Sequence, residues 1–249
     1  MTNPKEEYKN RAILSVEEID RMLAAADVLP TKYFQLRAKC LVALVKKFGK
    51  RRSEIARLQR TDLQIVNGSL EVTFGLSKKH KKGLFQFMDY CKLHNPDVLE
   101  LSLPEIKAKW REWQQTNEGH KVKNSTSLQS ISLDDKYAPF ILRYLEYLDQ
   151  KHSETKFVFP SGRTVFGAAY MIYPDKQLSG RQLLRIIKTL NPSAWLHLFR
   201  ETKGAEVAKA HGRTLTSVYE VKDSLDLEQE ETAYRYVRRY AAKKHEREI

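Results

Sequence analysis

Apolar residues recur at helical spacing along much of the chain. Leu36, Cys40, Leu44 and Phe48 form one stripe, which predicts a helix over about residues 33–48 that stops at Gly49. Upstream, Ser15 and Glu18 stand in capping-box spacing and open a helix reaching about residue 25. A short helix is expected around residues 53–58. The apolar runs 63–66 and 70–74 then flank Asn67-Gly68, two residues that accept positive φ and so favour a tight hairpin. The return strand leads into Ser77-Lys78-Lys79-His80-Lys81-Lys82.

From residue 83 to 129 the pattern loosens and reads as an insertion. It holds a capped helix from Ser102 or Pro104 to about residue 115, then a polar loop over 116–126. Residues 128–133 predict a third strand returning to the hairpin, followed by an amphipathic helix over 136–148. Residues 156–159 read as a short extended piece stopped by Pro160. Ser179 and Gln182 form a second capping box for a helix to about residue 190, and Ser193 is expected to start the next helix. The last helix, over about 227–244, is rich in charge and tyrosine. The expected class is therefore mainly α with a small antiparallel β-sheet, without internal repeats.

Composition narrows the partners. The 249 residues include 44 Lys and Arg against 31 Asp and Glu, a formal charge of +13 that favours a polyanion. Ribosome-type or membrane-surface binding fits this charge equally. Cys40 and Cys91 are the two cysteines, too few for a disulfide framework or a cysteine-rich zinc site. The polar start, residues 1–11, does not resemble a signal peptide, and no apolar run approaches a membrane span. A soluble intracellular protein is expected, and the sequons at Asn67 and Asn124 read as chance.

Candidate chemistry comes from four separated pieces. His197 and Arg200, three apart in an apolar helical pattern, leave one helix face together. Gly49-Lys50-Arg51-Arg52-Ser53-Glu54 begins a helix just before the hairpin, the lysine cluster ends that hairpin, and Thr232-Ala-Tyr234-Arg-Tyr236-Val237 lies near the carboxyl end. Taken singly, each has an ordinary reading as solvated charge or core packing. In this order, over about residues 11–244, they resemble the tyrosine recombinases, the phage integrase family, and specifically the catalytic domain.

The resemblance implies a tyrosine recombinase catalytic-domain fold and a DNA recombinase or integrase, with double-stranded DNA as partner. A tyrosine hydroxyl would attack a phosphodiester, giving a 3′-phosphotyrosyl link and a free 5′-hydroxyl with no metal or cofactor. Arg51 and Arg200 match the family arginines, whose guanidinium forks suit the non-bridging oxygens of the attacked phosphate. Lys78, with Lys79 second, would protonate the departing 5′ oxygen. His197 would orient the phosphate and help manage the tyrosine proton, and Glu54 would buttress the site. Tyr236 leads Tyr234 as nucleophile, because Thr232 stands four residues before it and Val237-Arg238 follow. The resemblance further implies a monomer without DNA, self-assembly on DNA into a tetrameric synapse, no membrane, a cytoplasmic nucleoid-associated location and a mobile-element or viral setting.

There are departures from the family pattern. A histidine or tryptophan usually stands about two and a half helical turns before the nucleophile, where this chain has Asp223-Ser-Leu-Asp-Leu227. Lys222 is the candidate substitute there, on a stretch from Arg200 to Tyr236 that is longer than usual. Arg52, directly after Arg51, leaves the register of that arginine open by one place. Residues 1–10 form an extension, 11–249 the catalytic domain and 239–249 a basic tail, so the family's amino-terminal core-binding domain is expected to be absent. Two alternatives stay open: a non-cleaving DNA-binding relative acting as regulator or architectural factor, and a type IB topoisomerase-like enzyme.

Overall fold

In the computed structural model the described residues are 13–75, 87–113, 126–165, 169–212, 214–227 and 229–245. Helix α1, Val16–Ala25, is closed at its start by the expected capping box: the Ser15 hydroxyl accepts from the Glu18 N–H and the Glu18 carboxylate accepts from the Ser15 N–H. Helix α2, Lys32–Phe48, is capped by the Thr31 hydroxyl and buried around most of its circumference, which makes it the central helix. Gly49 ends it at φ 55°, as the sequence predicts. Helix α3, Arg52–Ala56, follows.

Strands β1, Leu63–Val66, and β2, Ser69–Gly75, meet at Asn67-Gly68, whose φ values of 47° and 74° are both positive, the geometry of a type I′ hairpin. Strand β3, Thr126–Ser132, completes a sheet in the order β1-β2-β3, and the Leu133 N–H reaches the Gly68 carbonyl at 3.0 Å.

The described chain divides into two compact units. One comprises Val72–Gln129; the other contains everything else described. The smaller unit has α4, residues 87–94, a 3-10 turn at Pro96–Glu100, and α5, Leu103–Trp113, around a core of Phe87, Cys91, Val98 and Trp113. Residues 114–125, most of the expected polar loop, lie outside the described residues.

In the larger unit, α6, Ala138–Lys151, packs on α2. A two-stranded antiparallel hairpin follows, β4, Pro160–Val165, with β5, Ala169–Gln177, where the sequence suggested a stop at Pro160. Proline lacks an N–H but is tolerated as the first residue of an outer strand, and here it pairs opposite Gln177 beside a register shift. Gly162 is required by close approach: a Cβ there would lie 2.3 Å from the Met171 carbonyl oxygen and 2.7 Å from the Tyr170 ring.

Helix α7, Gly180–Leu190, has the expected Ser179–Gln182 capping box. Helix α8 runs Leu196–His211, three residues later than Ser193 suggested, because the Ser193 N–H is held in a turn by the Asn191 side chain at 2.9 Å. The carboxyl-terminal region holds the last helix where the sequence placed it and one unexpected helix before it. Helix α9, Leu215–Ser224, is capped by Thr214, and α10 runs Glu230–His245. Between them Asp226 takes φ 46°, with the Leu227 N–H bonded to the Lys222 carbonyl and the Asp226 N–H to the Asp223 carbonyl. This is a Schellman ending with aspartate in glycine's usual place. Ala205, Ala208, Val218, Val221, Leu225, Ala233, Val237 and Tyr240 join α8, α9 and α10 in one cluster. Among the described residues no helix is long and apolar enough to cross a membrane.

Gly162→Ala forces backbone against backbone, so it is expected to destabilise the chain by about 2 kcal/mol or more. Equilibrium urea unfolding monitored by circular dichroism measures this, and an unchanged midpoint would contradict the close packing of β4 on β5.

Candidate active site

The site begins where α2 ends. The carbonyl of Gly49 accepts a hydrogen bond from Arg200 Nη1 at 2.9 Å, while Arg200 Nη2 donates to the carbonyl of Leu225. Arg200, on the second turn of α8, is only 3% exposed. Its guanidinium is thus fixed between the end of α2 and the end of α9 by main-chain dipoles. Burial lowers its affinity for the proton, and the nearby Arg51 charge adds to this, yet a guanidinium stays cationic near neutrality.

Arg51 stands just before α3 in extended conformation. Glu54, buried, accepts from the Arg51 main-chain N–H at 2.8 Å and from its Nη1 at 2.9 Å. One carboxylate therefore caps the helix and aims the guanidinium. The charge of Arg51 bears on His197, Arg200 and Tyr236. Arg52 instead is exposed and lays its stem over Gly180, where a Cβ would meet Arg52 Cγ at 3.1 Å. Of the two consecutive arginines, Arg51 faces the cluster.

His197 lies one turn before Arg200, 61% exposed at its side chain and 3.5 Å from a Glu201 carboxylate oxygen. Desolvation is the largest cause holding it below its usual value of 6.5; Glu201 opposes this, and the charges of Arg200 and Arg51 add to it. Tyr236, on α10, packs its ring on α8 at Gly204, where a Cβ would lie 2.7 Å from Tyr236 Cδ1. Burial raises its phenol above the ordinary tyrosine value, and Arg200 is the strongest opposing charge. Tyr234 is 56% exposed and lines a groove with Thr214, Leu215, Val218 and Arg238. The structure therefore gathers Arg51, His197, Arg200 and Tyr236 in one electrostatic neighbourhood and leaves Tyr234 on a different face of α10. Lys78 and Lys79 lie outside the described residues.

The stretch that lacks the usual histidine or tryptophan contributes differently. Lys222 pairs with Glu230 at 3.0 Å, whereas Leu225 supplies its carbonyl to Arg200, and Asp226 forms an ion pair with Lys50. Lys50 is 1% exposed, and desolvation lowers its proton affinity while Asp226 and Glu54 restore part of it. Sequence reasoning missed Lys50, because a lysine between Gly49 and Arg51 reads as part of a surface charge run. The tolerance of aspartate for positive φ was the one available signal for Asp226. Among the described residues no group of three or more metal-ligating side chains forms.

No family model and no curated protein sequence matches the chain. Solved structures do. The chain is similar to XerH site-specific recombinase bound to difH substrate in a pre-cleavage complex, at 12% identity and TM-score 0.53, covering 91% of this chain and 50% of that one. It is similar to XerH with palindromic difH substrate in a post-cleavage complex, at 13% identity and TM-score 0.57, over 98% and 54% of the two chains. It is also similar to XerA recombinase, at 12% identity and TM-score 0.56, over 96% and 66%. The chain thus spans from half to two thirds of these proteins' length, and its fold is that of the tyrosine recombinase catalytic domain.

Two measurements probe this site. Breaking the Lys50–Asp226 pair from one side, as in Lys50→Met, is expected to cost about 3 kcal/mol, with much of it recovered in Lys50→Met/Asp226→Leu; additive losses in a double-mutant cycle would refute the pairing. Unfolded His197 takes up its proton near pH 6.5, and folded His197 does so only at lower pH. Its contribution is therefore present above pH 6.5 and lost as the pH falls through the folded midpoint. His197→Gln is expected to flatten the acid limb of stability against pH, and a nuclear magnetic resonance titration of wild type should place the His197 midpoint below 6.5.

Proposed function

We propose that this chain breaks and rejoins double-stranded DNA through a 3′-phosphotyrosyl intermediate, as a site-specific recombinase or integrase. The observation that carries this reading is that Arg51 and Arg200, far apart in sequence, both act on one half-buried phenol, Tyr236, whose ring packs on the helix of Arg200 at Gly204, and both also act on His197.

In the proposed step the Tyr236 oxygen attacks phosphorus and the bond from phosphorus to the 5′ oxygen breaks. His197, whose lowered proton affinity leaves it neutral at pH 7, accepts the phenol proton. Lys78 gives a proton to the departing 5′ oxygen. Each terminal nitrogen of Arg200 uses one hydrogen on a carbonyl and keeps a second for a phosphate oxygen. Arg51 adds the second positive charge where negative charge accumulates in the transition state. Attack by a 5′-hydroxyl on the phosphotyrosine reverses the sequence and joins strands, and no cofactor enters the balance. The +13 charge suits a DNA partner, and XerH site-specific recombinase was solved bound to difH substrate. Assembly on DNA as a tetrameric synapse and an origin in a mobile element belong to the same proposal.

A second reading, a DNA binder that does not cleave, is favoured by one observation: two donors of Arg200 are already tied to protein carbonyls. A pool of nicked duplexes of randomised sequence separates the readings. Covalent adduct that survives denaturation is expected with wild type and Tyr234→Phe, is abolished in Tyr236→Phe, and forms at least about 100-fold more slowly in Arg51→Ala. Salt-sensitive binding with no adduct from either tyrosine supports the binder. Relaxation of supercoiled plasmid without recombinant product supports the topoisomerase-like alternative.

A further inference from the structure

Glu54 is paired with Arg51 and Asp226 with Lys50, so each of these acids answers a cation of fixed charge. Glu201 is arranged differently. It follows Arg200 on α8, its side chain is 17% exposed, and its one ion-pair partner among the described residues is His197. Glu201 Oε1 lies 3.5 Å from His197 Nε2, and the spacing of four residues puts both side chains on one helix face. The field of Glu201 also reaches the phenols of Tyr236 and Tyr240. A carboxylate in this place repels the phosphate that Arg51 and Arg200 attract.

The contact with His197 is an ion pair only while the imidazole is protonated. Neutral His197 gains little from it, whereas an imidazolium gains a counter-charge. Among the described residues three charges act on His197: Glu201 favours its proton, and Arg200 on the same helix and Arg51 before α3 oppose it, with Glu201 the strongest of the three. On Tyr236 the order is reversed. Arg200 outweighs Glu201 there, and Arg239 and Arg51 act in the same direction as Arg200, toward phenolate. Burial disfavours both ions, and this pattern of charges offsets it in the direction that moves a proton from phenol to imidazole.

We propose that Glu201 is a positioning residue for strand cleavage, which holds the His197 ring with Nε2–H toward its carboxylate, leaves Nδ1 as the proton acceptor, and stabilises the imidazolium that forms. This inference rests on the recombinase reading above. In the step, the O–H bond of Tyr236 breaks and its proton passes to His197 Nδ1 while the phenol oxygen bonds to phosphorus. The electron pair of the bond from phosphorus to the 5′ oxygen leaves with that oxygen, which Lys78 protonates. Glu201 stays ionised throughout, and His197 returns the proton to the phenol when the strands rejoin. The gain appears only as the proton moves, whereas the repulsion of phosphate is present from binding onward, so losing Glu201 slows the reaction without weakening the hold on DNA.

The test uses the full chain and the pool of nicked duplexes. By nuclear magnetic resonance, His197 is expected to titrate at lower pH in Glu201→Gln than in wild type, with Glu201→Asp between them. Adduct formation in Glu201→Gln is expected to be about tenfold slower at its plateau, with the acid limb of its pH profile displaced to lower pH and DNA affinity equal or tighter. Glu201→Asp should recover part of the rate. A change in packing alone would slow the reaction without moving the limb, and that result overturns the proposal. So does an unmoved His197 midpoint, and so does faster adduct formation in Glu201→Gln, the outcome expected if the field of Glu201 mattered through the phenol instead of the imidazole. Each of these leaves the recombinase reading standing, whereas wild type that forms no adduct at any pH overturns that reading and the proposal with it.

Discussion

The buried guanidinium of Arg200, held by the carbonyls of Gly49 and Leu225, is the contact on which the rest of the site depends. Both acceptors lie at helix ends, where carbonyls lack partners in their own helix and the dipole is negative. One side chain from α8 thus closes α2 and α9 together. Because the partners are dipoles and not a carboxylate, the arginine is satisfied without being neutralised. A cation held this way keeps its field, which a paired carboxylate would cancel. The neighbouring Lys50 is treated differently: Asp226 gives it a full counter-charge. Charge is therefore retained at Arg200 and compensated one residue beyond Gly49.

The approach of α10 to α8 depends on a missing side chain. Gly204 lets the Tyr236 ring lie on α8, and a methyl group there would also press Leu225 at 2.9 Å, the residue whose carbonyl holds Arg200. Phenol placement and guanidinium placement are consequently linked through a single residue. Tyr234, two positions earlier on α10, points elsewhere because two residues on a helix turn the side chain most of the way to the opposite face.

What was legible in the sequence is what short-range chemistry decides. The Ser15–Glu18 and Ser179–Gln182 caps, the Asn67-Gly68 turn and the stop at Gly49 rest on residues within four positions of one another. The β4–β5 hairpin was not legible, since one strand begins at proline and the register shifts beside it. Helix α9 also escaped, although the start of the last helix near residue 227 was legible, and the tie of Asp226 to Lys50, 176 residues away, had no local signal. For the site, the order of Arg51, His197, Arg200 and Tyr236 carried the resemblance, and no local pattern could show that Lys50 is buried. Glu54 distinguishes Arg51 from Arg52, and its burial was equally invisible in the string of charges.

Asp226 is at once the left-handed terminator of α9 and the counter-ion of Lys50. The two duties pin the start of the final segment, so the number of residues from Asp226 to Tyr236 behaves as a ruler of fixed length. Inserting or deleting one residue within α10 before Tyr236 would swing the phenol about 100° around the helix axis. Length variation among relatives of this chain should therefore be purged from that interval and tolerated in the connections outside it.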